Sequence, residues 1–413
     1  LAPDLTPDFA PDLADLADPK TLAALRREIP GLDRGVYLNT GTQGPSPHAV
    51  TRRLFELYEA WQAGGPGDPE VYIATAKASL AAKEPIGAFL GVTGEELALT
   101  GNATDGINIV ANGIQWKAGD EVIISDQEHP AGLLIWLHLR QTRGIGIRIA
   151  RLSFRSPSQT VEEVASLITP RTRLVAMSHV TCQTGLRVPA KEITEVAHGQ
   201  GVPVMFDGAQ SVGQFPLDLR SLGCDFYSFN GHKWLLGPAG TGALFVSKEA
   251  LVELLPDRVG AGSPQAHTSG EDGHLTYGPT AQRFEFGTRC HPLWQAWPEA
   301  LVFLGRVGLD RIEGRGRELS RRLREGLRAV KGVSLVGPDA AVSPEMATAL
   351  VACRLEGMGG EVFQETLARR FRVLTRPVRE LEATRFSCAF FNTEEEIDKA
   401  IEAVKTLALE TVA

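Results

Sequence analysis

A chain of 413 residues, 43% apolar and 22% charged, is long enough for one large core and a smaller second one, and its composition excludes collagen, coiled-coil and disordered classes. A formal net charge of −8 at pH 7 disfavours nucleic acid or an anionic membrane as the main partner, so a small-molecule substrate is expected. The five cysteines, at 182, 224, 290, 353 and 388, form no CxxC pair and no cluster with histidine, which argues against a zinc site or any other metal site, against a disulfide framework, and for a reducing compartment.

Residues 1–24 are rich in Asp, Pro, Ala and Leu but lack a basic start and an unbroken apolar run. They read as part of a loosely held extension, taken to residue 34, and not as a signal peptide. No apolar run approaches the roughly 20 residues that cross a bilayer. From Gly35, the text Gly-Val-Tyr-Leu-Asn-Thr-Gly-Thr-Gln-Gly-Pro reads as a strand that breaks into a turn before a helix near His48. A helical stretch then runs to about Leu90. Beyond it, seven short apolar runs alternate with amphipathic segments: Leu97–Thr100, Glu121–Ser125, Ile145–Leu152, Arg173–Ser178, Pro203–Phe206, Asp225–Phe229 and Thr241–Val246. This predicts an α/β fold whose large domain, residues 35–295, holds a mostly parallel seven-stranded sheet with helices on both faces. Ligands belong at the carboxyl ends of such strands.

Chemistry-bearing residues do fall there. Gly101-Asn102-Ala103-Thr104 enters a helix, where free N–H groups and the helix dipole favour a phosphate, although Thr104 could equally be no more than a cap. His129 and His179 follow two further runs; an isolated histidine is more often a surface or core residue than a catalyst. The run Val202–Phe206 ends on Asp207-Gly208-Ala209-Gln210-Ser211, and the next ends on Asn230-Gly231-His232-Lys233-Trp234. Alone, Lys233 is as readily a snorkelling surface residue as a Schiff-base amine. A carboxylate at the preceding strand end tips the balance, because pyridoxal phosphate needs a lysine for its imine and an acid to keep its ring nitrogen protonated. Residues 260–279 are rich in Gly, Ser and Pro and show no periodicity, so a flap and surface slack are both open. From about Pro292 a long helix leads to a smaller α/β domain, residues 296–413, with a strand near Thr348–Cys353 and a helix over Gly360–Arg370. There Arg376 and Arg385 suit a carboxylate held by parallel hydrogen bonds.

The DGAQS and GHKW segments at this spacing resemble the fold-type-I pyridoxal-phosphate enzymes of the cysteine desulfurase and cyst(e)ine C–S lyase family, within the class V aminotransferase group, from about Tyr37 to about Ile397. The resemblance implies that pyridoxal phosphate is bound by Ala103, Thr104, His129, Asp207, Gln210, Asn230, His232 and Lys233. Within that set His129 stacks on the ring, Gln210 donates to the phenolic oxygen, and His232 holds the phosphate. Asn230 stands where relatives place Ser or Thr. The segment Arg283–Thr288, with Gly287 and Thr288, is expected to reach the phosphate of the other subunit, which implies a homodimer with shared active sites. Thr42, Gln43, His179, Arg376 and Arg385 are expected to contact the amino acid. The nine-residue spacing of the arginines matches the C–S lyases (376 to 385). Desulfurases have a longer loop there that carries a nucleophilic cysteine; this chain has none, and Cys388 reads as a strand residue. The implied activity is β-elimination from cysteine, cystine or another S-substituted cysteine in the cytoplasm, with a desulfurase, epimerase or aminotransferase as alternatives. Lys233, Asp207 and the arginine pair together disfavour a non-catalytic cofactor-binding protein.

Overall fold

The Asp18 carboxylate accepts the Thr21 N–H at 2.8 Å and Pro19 fills the first turn, so the computed structural model begins with a capped helix, α1 (Pro19–Arg27). The structure describes residues 15–338, 341 and 343–412. Leu22 and Leu25 of α1 are buried, and Arg26 donates to the Phe391 carbonyl at 2.6 Å and to Glu396 at 2.7 Å. The expected loose extension is therefore a docked helix from Pro19 onward. Its first residues, 1–14, lie outside the described residues.

Strand β1 (Val36–Tyr37) pairs in parallel with residues 373–374 rather than with the large sheet. Helices α2 (His48–Ala63), α3 (Pro69–Ala81) and α4 (Lys83–Phe89) then lead into alternating strands and helices. These are β2 (Leu97–Thr100), α5 (Ala103–Gly113), β3 (Glu121–Ser125), α6 (Pro130–Arg143), β4 (Gly146–Ala150), α7 (Pro157–Leu167), β5 (Thr172–Ser178), α8 (Ala190–His198), β6 (Val204–Asp207), α9 (Leu219–Leu222), β7 (Phe226–Asn230) and β8 (Gly242–Val246). The seven strands form one sheet in the order β2-β8-β7-β6-β5-β3-β4, parallel throughout except for β8, which runs antiparallel to both neighbours. Every residue of β3, β6, β7 and β8 is buried, which is why these strands read as continuous apolar runs: each face meets a core. One core gathers Phe206, Phe229 and Trp297, and the other Ile124, Trp136 and Met205. Emptying a site such as fully buried Trp297 would cost roughly 3–5 kcal/mol.

Residues 260–279 contain an exposed antiparallel hairpin, β9 (Pro264–His267) with β10 (Leu275–Tyr277). Since neither face is buried, no alternation marks it in the sequence. Helices α10 (His291–Val307) and α11 (Leu309–Arg328) lead to the C-terminal layer: β11 (Val333–Val336), β12 (Leu350–Leu355), α12 (Gly360–Phe371), β13 (Val373–Leu374), β14 (Arg376–Val378), β15 (Ala383–Ser387) and α13 (Glu394–Val412). Its sheet has the antiparallel order β11-β12-β15-β14, and Leu319, Phe363, Phe386 and Val404 share its core. Among the described residues, no helix is long and apolar enough to cross a membrane and no group of three or more His, Cys, Asp or Glu could hold a metal ion.

Candidate active site

The parallel register sets Ser178 and Asp207 side by side at the carboxyl ends of β5 and β6, with Ser228 of β7 next to Asp207. Asp207 is buried, and its carboxylate accepts the Ala209 N–H at 2.8 Å. Burial raises its proton affinity, against the pull of nearby Lys233. Lys233 stands just past the end of β7. The residue is half-buried, and desolvation of its amine brings it down to about 8 against the opposing effect of Asp207. The pair is thus a carboxylate facing an amine that loses its proton near neutrality.

At the neighbouring strand ends, Asn102 and not Thr104 caps α5, accepting the Asp105 N–H at 3.0 Å. The Ala103 N–H donates to Asn230 Oδ1 at 2.9 Å, so this amide, expected on a phosphate, is already paired. The same bond leaves Asn230 Nδ2 as a donor. Thr104 is exposed beside it in the first turn of α5. The His232 Nδ1–H donates to the Thr241 carbonyl at 3.3 Å, which leaves Nε2 as the other ring nitrogen.

The N-terminal turn closes over these groups. The Gly44 N–H donates to the His232 carbonyl at 2.8 Å, and a Cβ at Gly44 would stand 2.1 Å from the Lys233 oxygen. A Cβ at Gly41 would be 2.9 Å from both Arg385 Nη2 and Gln210 Oε1. Only glycine allows such approach. Beside the turn lies a cavity of about 380 Å³ lined by Asn39, Thr42, His129, Cys182, Gln183 and Arg376, among others. His129 Nδ1 accepts the Ala131 N–H at 3.1 Å, and burial, reinforced by Lys233, Arg376 and Arg385, lowers the ring to about 4. It stays neutral, with its proton on Nε2.

Arg376 and Arg385 lie directly opposite each other on β14 and β15. Arg385 is fully buried, donates to the Cys182 carbonyl at 2.7 Å, weakly to Thr42 Oγ1 at 3.4 Å, and keeps Nε without a partner. Burial brings it down to about 10. Neither arginine has an acidic partner among the described residues. Like charges opposed across a strand pair are destabilising, so the pair calls for an anion from outside. Arg376→Ala is accordingly expected to raise the KM for an amino acid by roughly ten- to a hundredfold, the worth of a hydrogen bond to a charged group, while leaving the melting temperature of the substrate-free protein equal or higher. Steady-state kinetics and a thermal melt on the same sample check both signs.

Several expected contacts are placed elsewhere. His179 is buried behind the sheet, its Nδ1 2.8 Å from the Tyr227 hydroxyl and its ring against Phe206 and Phe215. It does not line the cavity; its strand neighbour Ser178 takes the site face. Gln43 is exposed, and among the two turn residues Thr42 is the one on the cavity wall. Gln210 Nε2 donates to the Gly41 carbonyl at 2.7 Å and Oε1 accepts Trp234 Nε1 at 2.9 Å, so one amide N–H remains for a ligand. Gly287 and Thr288 are exposed and take no part in this pocket. The structure adds Asn39, Cys182, Gln183 and Glu128, none marked by a sequence motif beyond position at a strand end. A larger groove, about 740 Å³, runs between α1 and residues 393–395, but its Arg26 and Glu394 are already ion-paired.

A family model described as aminotransferase class-V matches residues 36–400. The chain is 35% identical to an isopenicillin N epimerase of Amycolatopsis lactamdurans, over 94% of this chain and 99% of that one. It is 31% identical to a probable cysteine desulfurase of Methanothermobacter thermautotrophicus, over 76% and 77%. Among solved structures, the cystine C–S lyase C-DES in complex with its product cysteine persulfide superposes with a TM-score of 0.83 at 28% identity, covering 91% of this chain and 99% of that one. A C-DES lysine-to-alanine mutant with glycine covalently linked to its pyridoxal-phosphate cofactor superposes with a TM-score of 0.84 at 28% identity, covering 92% and 98%. The site fits that cofactor: an amine of lowered basicity, a buried carboxylate at the end of the central strand of the sheet, and Thr104, Asn230 and His232 at neighbouring strand ends where a phosphate would need donors.

Proposed function

The chain belongs to the class-V aminotransferase family of pyridoxal-phosphate enzymes, and from that premise we propose that it cleaves the Cβ–S bond of cysteine, cystine or another S-substituted cysteine, giving pyruvate, ammonia and sulfide or persulfide. The observation that carries this reading is the strand pair β14–β15: two arginines opposed without a counter-acid, and no thiol between them.

When bound, pyridoxal phosphate supplies an aldehyde that takes up amines and a ring that draws an electron pair from the substrate's Cα. Arg385 and Arg376 hold the substrate carboxylate and so fix which bond at Cα faces the amine. Lys233, able to lose its proton near neutrality, accepts the proton at Cα. Asp207 holds the proton on the ring nitrogen through its negative charge. His129 stays neutral and offers its ring face and its Nε2–H, while Thr42 and Asn39 wall the cavity from the N-terminal side. Sulfur then leaves from Cβ; the thiol on the cavity wall, Cys182, is buried and burial raises its proton affinity, which disfavours the thiolate a sulfur acceptor would need. Cys388, the thiol nearest in sequence to the arginines, is fully buried and pushed up to about 12 by burial, so it is not a sulfur acceptor.

Product analysis tests this. With cysteine or cystine, pyruvate and ammonia are expected, and Cys388→Ser should keep activity apart from modest packing losses. Alanine as the product, lost with Cys388→Ser, would mean a desulfurase. An epimerase is the second reading, supported by the 35% identical relative. In that case a chiral assay would find inversion at Cα and no pyruvate.

The assembly we propose is a homodimer in the cytoplasm. Phe55 and Ile73, on α2 and α3, are 62% and 65% exposed, and Tyr58 and Tyr72 of the same helices are exposed as well. Exposed Gly287 and Thr288 remain available to a partner's phosphate site. All five cysteines are free thiols, in keeping with a reducing compartment. Light scattering should give twice the chain mass, and Phe55→Asp with Ile73→Asp should give monomer that binds the cofactor more weakly.

A further inference from the structure

One buried acid has no part in the chemistry above. Glu128 follows Gln127 in the turn from β3 to α6, and its side chain goes inward while that of His129 lines the substrate cavity. One carboxyl oxygen accepts a hydrogen bond from Ser125 Oγ. The other accepts Ser178 Oγ at 2.7 Å, and the Ser178 N–H is shared between both at 3.0 and 3.1 Å. No arginine, lysine or histidine pairs with it among the described residues. Ser178 is the register partner of Asp207, and Glu128 and Asp207 border one void of about 10 Å³, on the order of a single water.

We propose that Glu128 is a positioning residue for the cofactor's ring-nitrogen site, acting through Asp207 by deciding whether that aspartate has a neutral neighbour or a second negative charge beside it. The elements packed against the void leave no other group for this. Ile107 faces it from α5, Gly132 and Trp136 from α6, Ala176 and Met177 from β5, and Met205 with Asp207 from β6. Asp207 is thus the one titratable side chain opposite Glu128 among the described residues. Burial first, with the Asp207 charge adding to it and three serine hydrogen bonds opposing, raises Glu128 to about 7. The coupling is reciprocal: a protonated ring nitrogen at Asp207 favours ionised Glu128, and ionised Glu128 favours that proton.

The sign for stability follows from the raised value. A carboxyl whose folded pKa lies above its unfolded one contributes stability that is full below the unfolded pKa and lost as pH rises through the folded one. Melting temperatures of cofactor-stripped wild type, Glu128→Gln and Asp207→Asn are therefore to be measured across neutral pH. Wild type should fall relative to Glu128→Gln as pH rises towards about 7 and level off above it, and in Asp207→Asn the levelling should come at lower pH. In the pyridoxal-phosphate-loaded protein, Glu128→Gln should displace the pH midpoint of the visible absorbance by about one unit, a tenfold change in proton affinity. Melting curves of wild type and Glu128→Gln that run parallel at every pH, with an unmoved absorbance midpoint, would reduce Glu128 to a structural tie and overturn the proposal. If Glu128→Gln does not fold, the infrared carbonyl band of a neutral buried acid decides: it should vanish at lower pH in Asp207→Asn than in wild type, and an unmoved band counts against the coupling. These readouts involve no substrate, so they are independent of whether the enzyme is a lyase.

Discussion

Lys233→Ala should lower turnover by about four orders of magnitude, the upper end of what a positioned proton acceptor contributes, or about 5 kcal/mol in barrier. It should also abolish the visible absorbance of the lysine-linked cofactor, which an absorbance spectrum reads without any assay. No other lysine can substitute. Lys83 is the only fully buried lysine among the described residues, and it is tied to Glu285 at 2.5 Å. Since desolvation brings the Lys233 amine to about 8, the neutral base becomes abundant as pH rises through that value, and activity should rise with it. An alanine variant that keeps both colour and turnover would remove Lys233 from the mechanism.

Asp207→Ala is the second large effect. The carboxylate is buried beside the amine and sits on the central strand β6, so nothing else can hold the ring-nitrogen proton from that side. Loss of one preorganised electrostatic partner costs about 10²- to 10³-fold. Cofactor should still be retained, because the Thr104, Asn230 and His232 donors lie at other strand ends. The informative measurement is therefore a split: near-normal cofactor content with exchange of the Cα proton into heavy water slowed by the same factor as turnover. Turnover within tenfold of wild type would mean that the ring needs no such partner.

Much of this was legible in the chain because a strand buried on both faces leaves an uninterrupted apolar run, and a run ends where polar residues begin. The seven strands and the positions of Asp207 and Lys233 follow from that. Which way a side chain points from a strand end does not. Ser178 and His179 are adjacent and face opposite sides of the sheet, and no local pattern says which one meets the site. Glu128 and His129 pose the same problem in a turn. Arg376 and Arg385 could be recognised as carboxylate ligands by type, but their opposition is a matter of register, which pairs residues nine apart only once the turn between β14 and β15 is known. The Asn230–Ala103 bond joins residues 127 apart and is invisible to any local reading. The β9–β10 hairpin was illegible for a different reason: an exposed strand has no buried face to imprint on its sequence.

The parallel pairing of β1 with β13 has a consequence for how the chain is made. Val36 takes its partner from Val373, and Arg26 its partner from Glu396, 370 residues further on. The large sheet, from β2 to β8, is complete in sequence by Val246 and needs neither contact to form its hydrogen-bonded order. During synthesis β1 must therefore remain unpaired, with Val36 and Leu38 lacking the core they share with Val373 and Phe386, while more than three hundred residues emerge behind it. The N-terminal turn is tied to His232 and Gln210 of the large domain, but Arg376 and Arg385 arrive only with the C-terminal layer. A nascent chain stalled before β13 should therefore hold a finished sheet and a site without its carboxylate-binding arginines.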